Sequence, residues 1–155
     1  MERYRQQPEE NKPKLEIDFE QYGYKKDSQE SQQLSGRLQS ILKDGKDGVS
    51  KEIKRIYGNT RYWDAIKEKT NALLDVSKPK NEANLIRAGI IIDSANKLSR
   101  ALYEEGTWQF ITGPNLHLEG RTPINDIECA NDQDLGNVHY KISDAIDALL
   151  EGGFT

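Results

Sequence analysis

Apolar residues recur at helical spacing over most of the chain, beginning at Leu34. The first stripe has four members and ends at "KDGKDG": Leu34, Leu38, Ile41 and Leu42. Positions three and four residues apart lie on one face of a helix, so this stretch predicts a first amphipathic helix.

Two shorter patterns follow. A second helix is predicted by four apolar positions: Val49, Ile53, Ile56 and Tyr57. A third is predicted by five: Tyr62, Trp63, Ile66, Leu73 and Leu74. "VSKPKNEAN" then predicts a linker, because Pro79 lacks an amide donor and disfavours a helical residue before it.

A long helix is predicted from about Glu82 to Glu105, with Gly106 as its C-terminal stop. Its stripe has six members: Ala88, Ile91, Ile92, Ala95, Leu98 and Leu102. A stripe this wide predicts a helix at the centre of the core. A last helix is predicted by six apolar positions on one face, and Gly152 and Gly153 end it: Val138, Ile142, Ala145, Ile146, Leu149 and Leu150.

The N-terminal stretch differs in composition, being rich in Gln, Glu, Lys and Pro. Within it, Leu15, Ile17 and Phe19 alternate with charged residues, a weak strand pattern. The sequence therefore predicts an all-α fold with a minor strand near the N-terminus. It divides into a polar arm that is disordered or docked (residues 1–30), a small helical region (31–80) and a helical domain (81–155).

Composition narrows the class of protein. Hydrophobic residues make up 35% of the 155 residues and charged residues 31%, which indicates that part of the chain adds nothing to a core. No apolar run reaches the roughly 20 residues that span a bilayer. One cysteine excludes an internal disulfide and is typical of a reducing compartment. A soluble cytoplasmic protein is expected.

The net charge of −4 is unevenly distributed. Between Gly36 and Ala72, nine Lys and Arg stand against five Asp and Glu, a local balance of +4. Between Ala101 and Thr155, two Lys and Arg stand against ten Asp and Glu, a local balance of −8. Such asymmetry allows an anionic partner for one half and a cationic partner for the other, although solvated helix faces give the same pattern.

No catalytic constellation is evident. Cys129 lies twelve residues from His117 and ten from His139, spacings that match no usual zinc pattern. A lone cysteine is more often a small buried hydrophobe, and Gly113 and Gly120 are too far apart for a phosphate cradle. We expect no enzyme activity, no metal and no cofactor.

The stretch "TGPNLHLEGRTPINDI" combines turn and helix-start signals. Pro114 and Asn115 favour a turn, with asparagine tolerating the left-handed region. Leu116 and Leu118 are expected to reach inward and pin the loop. Arg121 is expected to donate to neighbouring carbonyls, and "TP" predicts a capped helix start.

These residues also carry a resemblance to a known family. "WQFITGPNLHLEGRTPINDI" and the closing "LLEGGF" resemble the toxin-binding domain of Xre/MbcA/ParS antitoxins. The likeness covers about the last 70 residues, on ten positions: Trp108, Pro114, Asn115, Leu118, Gly120, Pro123, Ile127, Val138, Gly153 and Phe154. "ECANDQDLGN" departs from the usual short link before the last helix.

The resemblance implies a protein partner. Such antitoxins neutralise RES-domain toxins that consume NAD, and their C-terminal end blocks the toxin's active site. The expected partner-binding residues are Asn115, Arg121, Glu151, Gly152, Gly153, Phe154 and Thr155. In another reading, Phe154 folds back as a structural cap over the last helix.

The family also implies DNA binding by an N-terminal helix-turn-helix, yet no clean pattern of that kind is evident. The cationic middle offers four candidate phosphate contacts: Lys51, Lys54, Arg55 and Arg61. A helical adaptor or assembly subunit, without toxin or DNA, is the alternative function. A homodimer is compatible with either.

Overall fold

The computed structural model describes residues 17–43, 51–52, 54–55 and 82–152, without the side chains of Leu42 and Glu104. Five α-helices are defined there: α1 (Gln29–Lys43), α2 (Glu82–Leu98), α3 (Glu104–Thr112), α4 (Pro123–Cys129) and α5 (Leu135–Leu150). Three short 3-10 turns accompany them: Phe19–Tyr22, Leu116–Leu118 and Asp132–Asp134. The predicted all-α class is confirmed.

The expected strand near the N-terminus is absent from the residues that the structure covers. Its described part forms the 3-10 turn Phe19–Tyr22, which begins where the Asp18 carboxylate accepts from the Glu20 N–H at 3.2 Å. A strand needs a partner to satisfy its backbone groups, whereas this turn satisfies them locally. Leu15 lies outside the described residues.

Helix α2 is the centre of the core, as predicted. Twelve of its seventeen residues are buried, on all sides rather than along one stripe. Helix α1 packs against it through Leu34, Leu38 and Ile41, which confirms the first predicted stripe. The contact is close because a Cβ at Gly89 would collide with the Leu34 side chain.

The long helix ends at Leu98, seven residues before the predicted end. A turn follows, in which the Ser99 hydroxyl donates to the Asn96 carbonyl at 2.5 Å, and α3 begins after Tyr103. Gly106 lies inside α3, so the predicted stop at this glycine was wrong. A continuous 24-residue helix would be about 36 Å long, and the turn instead brings Ile111 of α3 back onto the core.

The predicted core group is largely confirmed, with α2 and α5 in contact. Its buried members are Ile91, Ala95, Leu98, Ile142 and Ile146. Leu149 is only partly buried at the edge of the cluster. None of the helices in the described part of the chain is long and apolar enough to cross a membrane.

The unusual link before the last helix is held by Arg87, a buried residue of α2. Its guanidinium donates to the Ile127 carbonyl at 3.1 Å, the Ala130 carbonyl at 2.6 Å and the Asp132 carboxylate at 2.9 Å. These acceptors lie at the end of α4 and in the connection to α5. The long connection is therefore fixed by one cation with several acceptors.

The N-terminal segment packs onto α5 through the turn Phe19–Tyr22 and the residues that follow it. Tyr24, which the alternating pattern did not single out, is 3% exposed and joins the core, with Ile17 and Phe19 partly buried around it. The backbone of Gly23 and Tyr24 passes so close to Gly136 that a Cβ there would overlap it. The described part of the predicted arm is therefore part of the helical body.

Little of the middle region can be compared with its prediction. Residues 51, 52, 54 and 55 are helical, as the second apolar pattern predicts. The predicted third helix, from Tyr62 to Leu74, lies outside the described residues, as does the linker at Pro79.

Substituting Gly136 tests the close approach between the N-terminal segment and α5. Gly136→Ala should lower the free energy of unfolding by about 1–3 kcal/mol, because the new methyl group meets backbone atoms that cannot move aside. Urea denaturation of both proteins measures the change.

The control is Gly36→Ala on α1, where a Cβ meets nothing within 4 Å. Alanine should raise stability there by about 0.5–1 kcal/mol, since glycine is costly inside a helix. Equal stability of the Gly136 variant and the parent protein would show that the two backbones do not approach as described.

Candidate functional site

The loop between α3 and α4 is held by Asn115. The Asn115 N–H donates to the Arg121 carbonyl at 3.1 Å, and the Asn115 carbonyl accepts from the Gly120 N–H at 2.9 Å. The side-chain Oδ1 accepts from the His117 N–H at 2.8 Å and caps the turn Leu116–Leu118. Asn115 therefore positions the loop with groups that are already engaged within the chain.

Glu119 and Gly120 reverse the chain after this turn. Their φ angles are +60° and +84°, whereas that of Asn115 is −135°. The left-handed conformation expected near asparagine thus lies four and five residues later in the chain. A Cβ on Gly120 would meet no atom within 4 Å, so its backbone angle is what favours glycine there.

The two leucines of the loop point in different directions. Leu118 is fully buried, while Leu116 is 92% exposed, so the prediction that both reach inward was wrong for Leu116. A 3-10 helix has three residues per turn, and residues two apart therefore face different sides. The loop thus presents one large apolar side chain to solvent.

Arg121 pairs with carboxylates, not with the expected carbonyls. Its Nε donates to Asp126 Oδ1 at 2.7 Å, and its NH1 donates to Glu119 Oε1 at 3.0 Å. The hydrogen bonds to Asp126 and then Glu119 raise the pKa of Arg121. Arg121 links the loop to α4 while its side chain stays 43% exposed.

The predicted start of α4 is confirmed. Thr122 Oγ1 accepts from the Asn125 N–H at 3.1 Å, and Pro123 occupies the first turn. Buried Pro123, Ile124 and Ile127 then seat the helix on the core.

The C-terminal end of α5 is open to solvent in its described part. Glu151 and Gly152 are exposed, Gly152 has a φ of +80°, and a Cβ there would meet no atom within 4 Å. Gly153, Phe154 and Thr155 lie outside the described residues. Whether Phe154 is an anchor or a cap stays a prediction.

The predicted DNA contacts are only partly described. Lys51, Lys54 and Arg55 are exposed, and Arg61 lies outside the described residues. The Arg55 NH1 donates to Glu52 Oε1 at 2.5 Å, so the positive charge of Arg55 is partly compensated.

Cys129 is exposed, contrary to the expectation of a small buried hydrophobe. Its Sγ lies 3.4 Å from Asn125 Oδ1 at the end of α4. Among the described residues, no group of His, Cys, Asp and Glu is arranged to hold a metal ion.

A buried polar chain, absent from the predicted sites, connects five segments. The Tyr24 hydroxyl lies 2.7 Å from His139 Nδ1, and His139 Nε2 lies 3.2 Å from Asp93 Oδ2. Asp93 Oδ1 lies 3.6 Å from Arg37 Nε, which has no hydrogen-bond partner in the described part of the chain. Arg37 NH1 in turn donates to Glu52 at 2.6 Å.

The acceptors in the buried polar chain fix the proton positions on a neutral His139 imidazole. The Asp93 carboxylate can only accept, so His139 Nε2 carries the hydrogen and Nδ1 accepts from the Tyr24 hydroxyl. His139 is 1% exposed, and this arrangement satisfies both of its ring nitrogens. The sequence signal for this buried polar chain was Asp93, a charged residue within the apolar run "GIIIDSAN".

Burial raises the pKa values of two tyrosines in the N-terminal segment. Desolvation, followed by the negative charge of Asp93, raises the pKa of Tyr24 well above its usual value. Desolvation and the hydrogen bond from the Tyr22 hydroxyl to Glu82, at 2.9 Å, raise the pKa of Tyr22 to about 12. Both side chains therefore favour the protonated form in the folded protein.

Comparison with known proteins identifies no relative. No protein-family model matches the chain, and neither a curated protein nor a solved structure matches it.

Tyr24→Phe tests the buried chain. At neutral pH it should lower the free energy of unfolding by about 1–3 kcal/mol, because His139 Nδ1 loses its donor in a buried site. Unfolded tyrosine ionises near pH 10, whereas folded Tyr24 keeps its proton. The free energy of unfolding of the wild type should therefore fall above pH 10. That of the variant should fall less steeply, with a slope that differs by up to about 1.36 kcal/mol per pH unit.

Urea denaturation from pH 7 to pH 11 measures both effects. Tyr22→Phe is the control, since Tyr22 is only partly buried and its partner Glu82 lies at the start of α2; its neutral-pH cost should be smaller. Identical pH slopes for wild type and Tyr24→Phe would contradict the buried, protonated Tyr24.

Proposed function

We propose that the chain is an antitoxin-like binding protein that neutralises a partner toxin of the RES type, which consumes NAD, through residues 81–155. The motif between Trp108 and Ile127 is the basis of the proposal. The observation that carries it furthest is the loop at Leu116, a fixed turn with its apolar tip in solvent.

A fixed loop favours binding because little conformational freedom is lost on association. Four hydrogen bonds of Asn115 hold the loop, together with the hydrogen bonds from Arg121 to Glu119 and Asp126. Leu116 is 92% exposed on this loop. In the proposal Leu116 enters an apolar pocket of the partner, while Asn115 and Arg121 maintain the geometry.

The negative charge of the C-terminal half supports a partner with a cationic surface. The segment Ala101–Thr155 has a balance of −8, and Glu119, Asp144 and Glu151 are exposed on it. An enzyme that binds NAD must accommodate an anionic pyrophosphate, and a cationic cleft is suited to that task. Opposite charges would speed the encounter more than they strengthen the complex.

The C-terminal residues are proposed to block the toxin's active site. Exposed Glu151 and Gly152 follow α5 in open solvent, and the proposal assigns the partner contact to the next residues, Gly153, Phe154 and Thr155. Phe154 would provide an aromatic anchor, the kind of side chain enriched at binding hot spots.

Deleting Gly152–Thr155 tests this role. Toxin neutralisation should be lost, while the melting temperature should change little because the surroundings of Gly152 are open. A native-host RES-domain toxin co-expressed with either chain gives the first readout, NAD level, and calorimetry gives the second.

Leu116→Ala is a companion variant, since loss of an exposed side chain should leave folding intact and weaken binding. A truncated chain that melts several degrees lower and still neutralises the toxin would show a structural cap, and this mechanism would be wrong. If the full-length chain neither binds nor neutralises the toxin, the adaptor function is favoured.

DNA binding to the protein's own promoter is proposed as a second role of the cationic middle. Exposed Lys51 and Lys54 support it, and phosphate contacts make such binding steeply salt-dependent. Lys51→Gln with Lys54→Gln should weaken a low-salt mobility shift of the promoter and reduce its salt slope by roughly two. No shift with wild type, with or without the toxin, would exclude this role.

A further inference from the structure

A groove of about 630 Å³ lies between α1, α2 and α5, away from the motif loop. Fourteen residues line it, and Gly36 is the only one of them without a polar side chain. Small-molecule sites have volumes in this range but usually apolar walls. A lining so rich in polar side chains favours a small, strongly hydrated occupant over a hydrophobic one.

The floor of the groove is electrically compensated. The Glu52 side chain, 5% exposed, pairs with Arg37 and Arg55. The Asp93 side chain, 9% exposed, contacts Arg37 and His139. These carboxylates are buried and engaged, so they offer little to an incoming cation.

Above the floor, two cations and two carboxylates line the groove among neutral polar side chains: Lys97, Arg100, Glu30 and Asp147. Arg100 is exposed and has no ion-pair partner among the residues described. Lys97 Nζ donates to Ser143 Oγ at 2.5 Å and pairs with Asp147 at 2.9 Å. Asp147 is 48% exposed, and such a surface pair contributes about 0–1 kcal/mol, so a stronger anion can displace it. The amide of Asn96 adds another donor.

The floor is also fixed in place. Asp93 is held by His139, which Tyr24 holds in turn, so a buried polar chain stands directly behind the groove. Burying charged groups is costly, and apolar replacements of such networks are often as stable or more stable. Through Asp93 the network contacts Arg37 in the groove wall.

We propose that this groove binds a small oxyanion, a phosphate ester or polycarboxylate, through Lys97 and Arg100, with Asn96 and Gln33 as neutral hydrogen-bonding groups. Charge-assisted hydrogen bonds from an ammonium and a guanidinium provide most of the affinity. This site is independent of the proposed partner-binding surface.

The test is an NMR titration of the ¹⁵N-labelled full chain with ribose 5-phosphate, citrate and inorganic phosphate, with ribose as the uncharged probe. Saturable shifts should appear at Asn96, Lys97 and Arg100 with at least one anion and not with ribose. A response to ribose 5-phosphate but not citrate identifies a phosphate ester, and the reverse identifies a polycarboxylate.

Lys97→Gln and Arg100→Gln should each weaken binding by roughly tenfold or more. The matched control is Lys141→Gln, the same charge change at an exposed position of α5 away from the groove. Arg100 is exposed, so its variant keeps the test valid even if Lys97→Gln unfolds the chain. Any of three results would overturn the proposal. The first is the absence of saturable shifts, and the second is unchanged affinity in Arg100→Gln. The third is a response to inorganic phosphate that Lys141→Gln weakens as much as the groove variants do.

Discussion

Helix α2 must be covered on every side, and the rest of the described fold follows from this constraint. Ile90, Ile91 and Ile92 are consecutive and all fully buried. Successive residues of a helix point about 100° apart, so three isoleucines in a row require neighbours in three directions. Helices α1, α4 and α5 pack against α2, and together they meet that requirement. The turn after Leu98 brings α3 onto the same core.

Two charged residues of α2 then determine where those neighbours lie. Arg87 and Asp93 are six positions apart, about 240° around the helix, and therefore face different sides. Arg87 fixes the connection from α4 to α5, while Asp93 fixes His139 and contacts Arg37 of α1. Each buried charge has partners only when the surrounding segments are in place, so these contacts favour one arrangement over other apolar packings.

The sequence specified the helices well where a periodic apolar stripe existed, as in α1 and α5. It also specified the start of α4, because Thr122 and Pro123 act locally. Predictions failed where long-range contacts decide the outcome. Gly106 is a helix stop only if the helix reaches it, and the turn after Leu98 depends on packing of α3. Tyr24 is buried because Gly136 lets the backbone approach, a pairing across more than a hundred residues.

The motif itself illustrates the limit of inference from a loop sequence. Asn115, Gly120 and Pro123 each have a conformational task, and Leu118 fills the core. These residues therefore specify the shape of the loop, and a loop of this shape could serve several proteins. Binding specificity must come from side chains that the shape leaves unconstrained. Leu116 is exposed and apolar, and the binding role proposed for it falls at a position that the motif does not define.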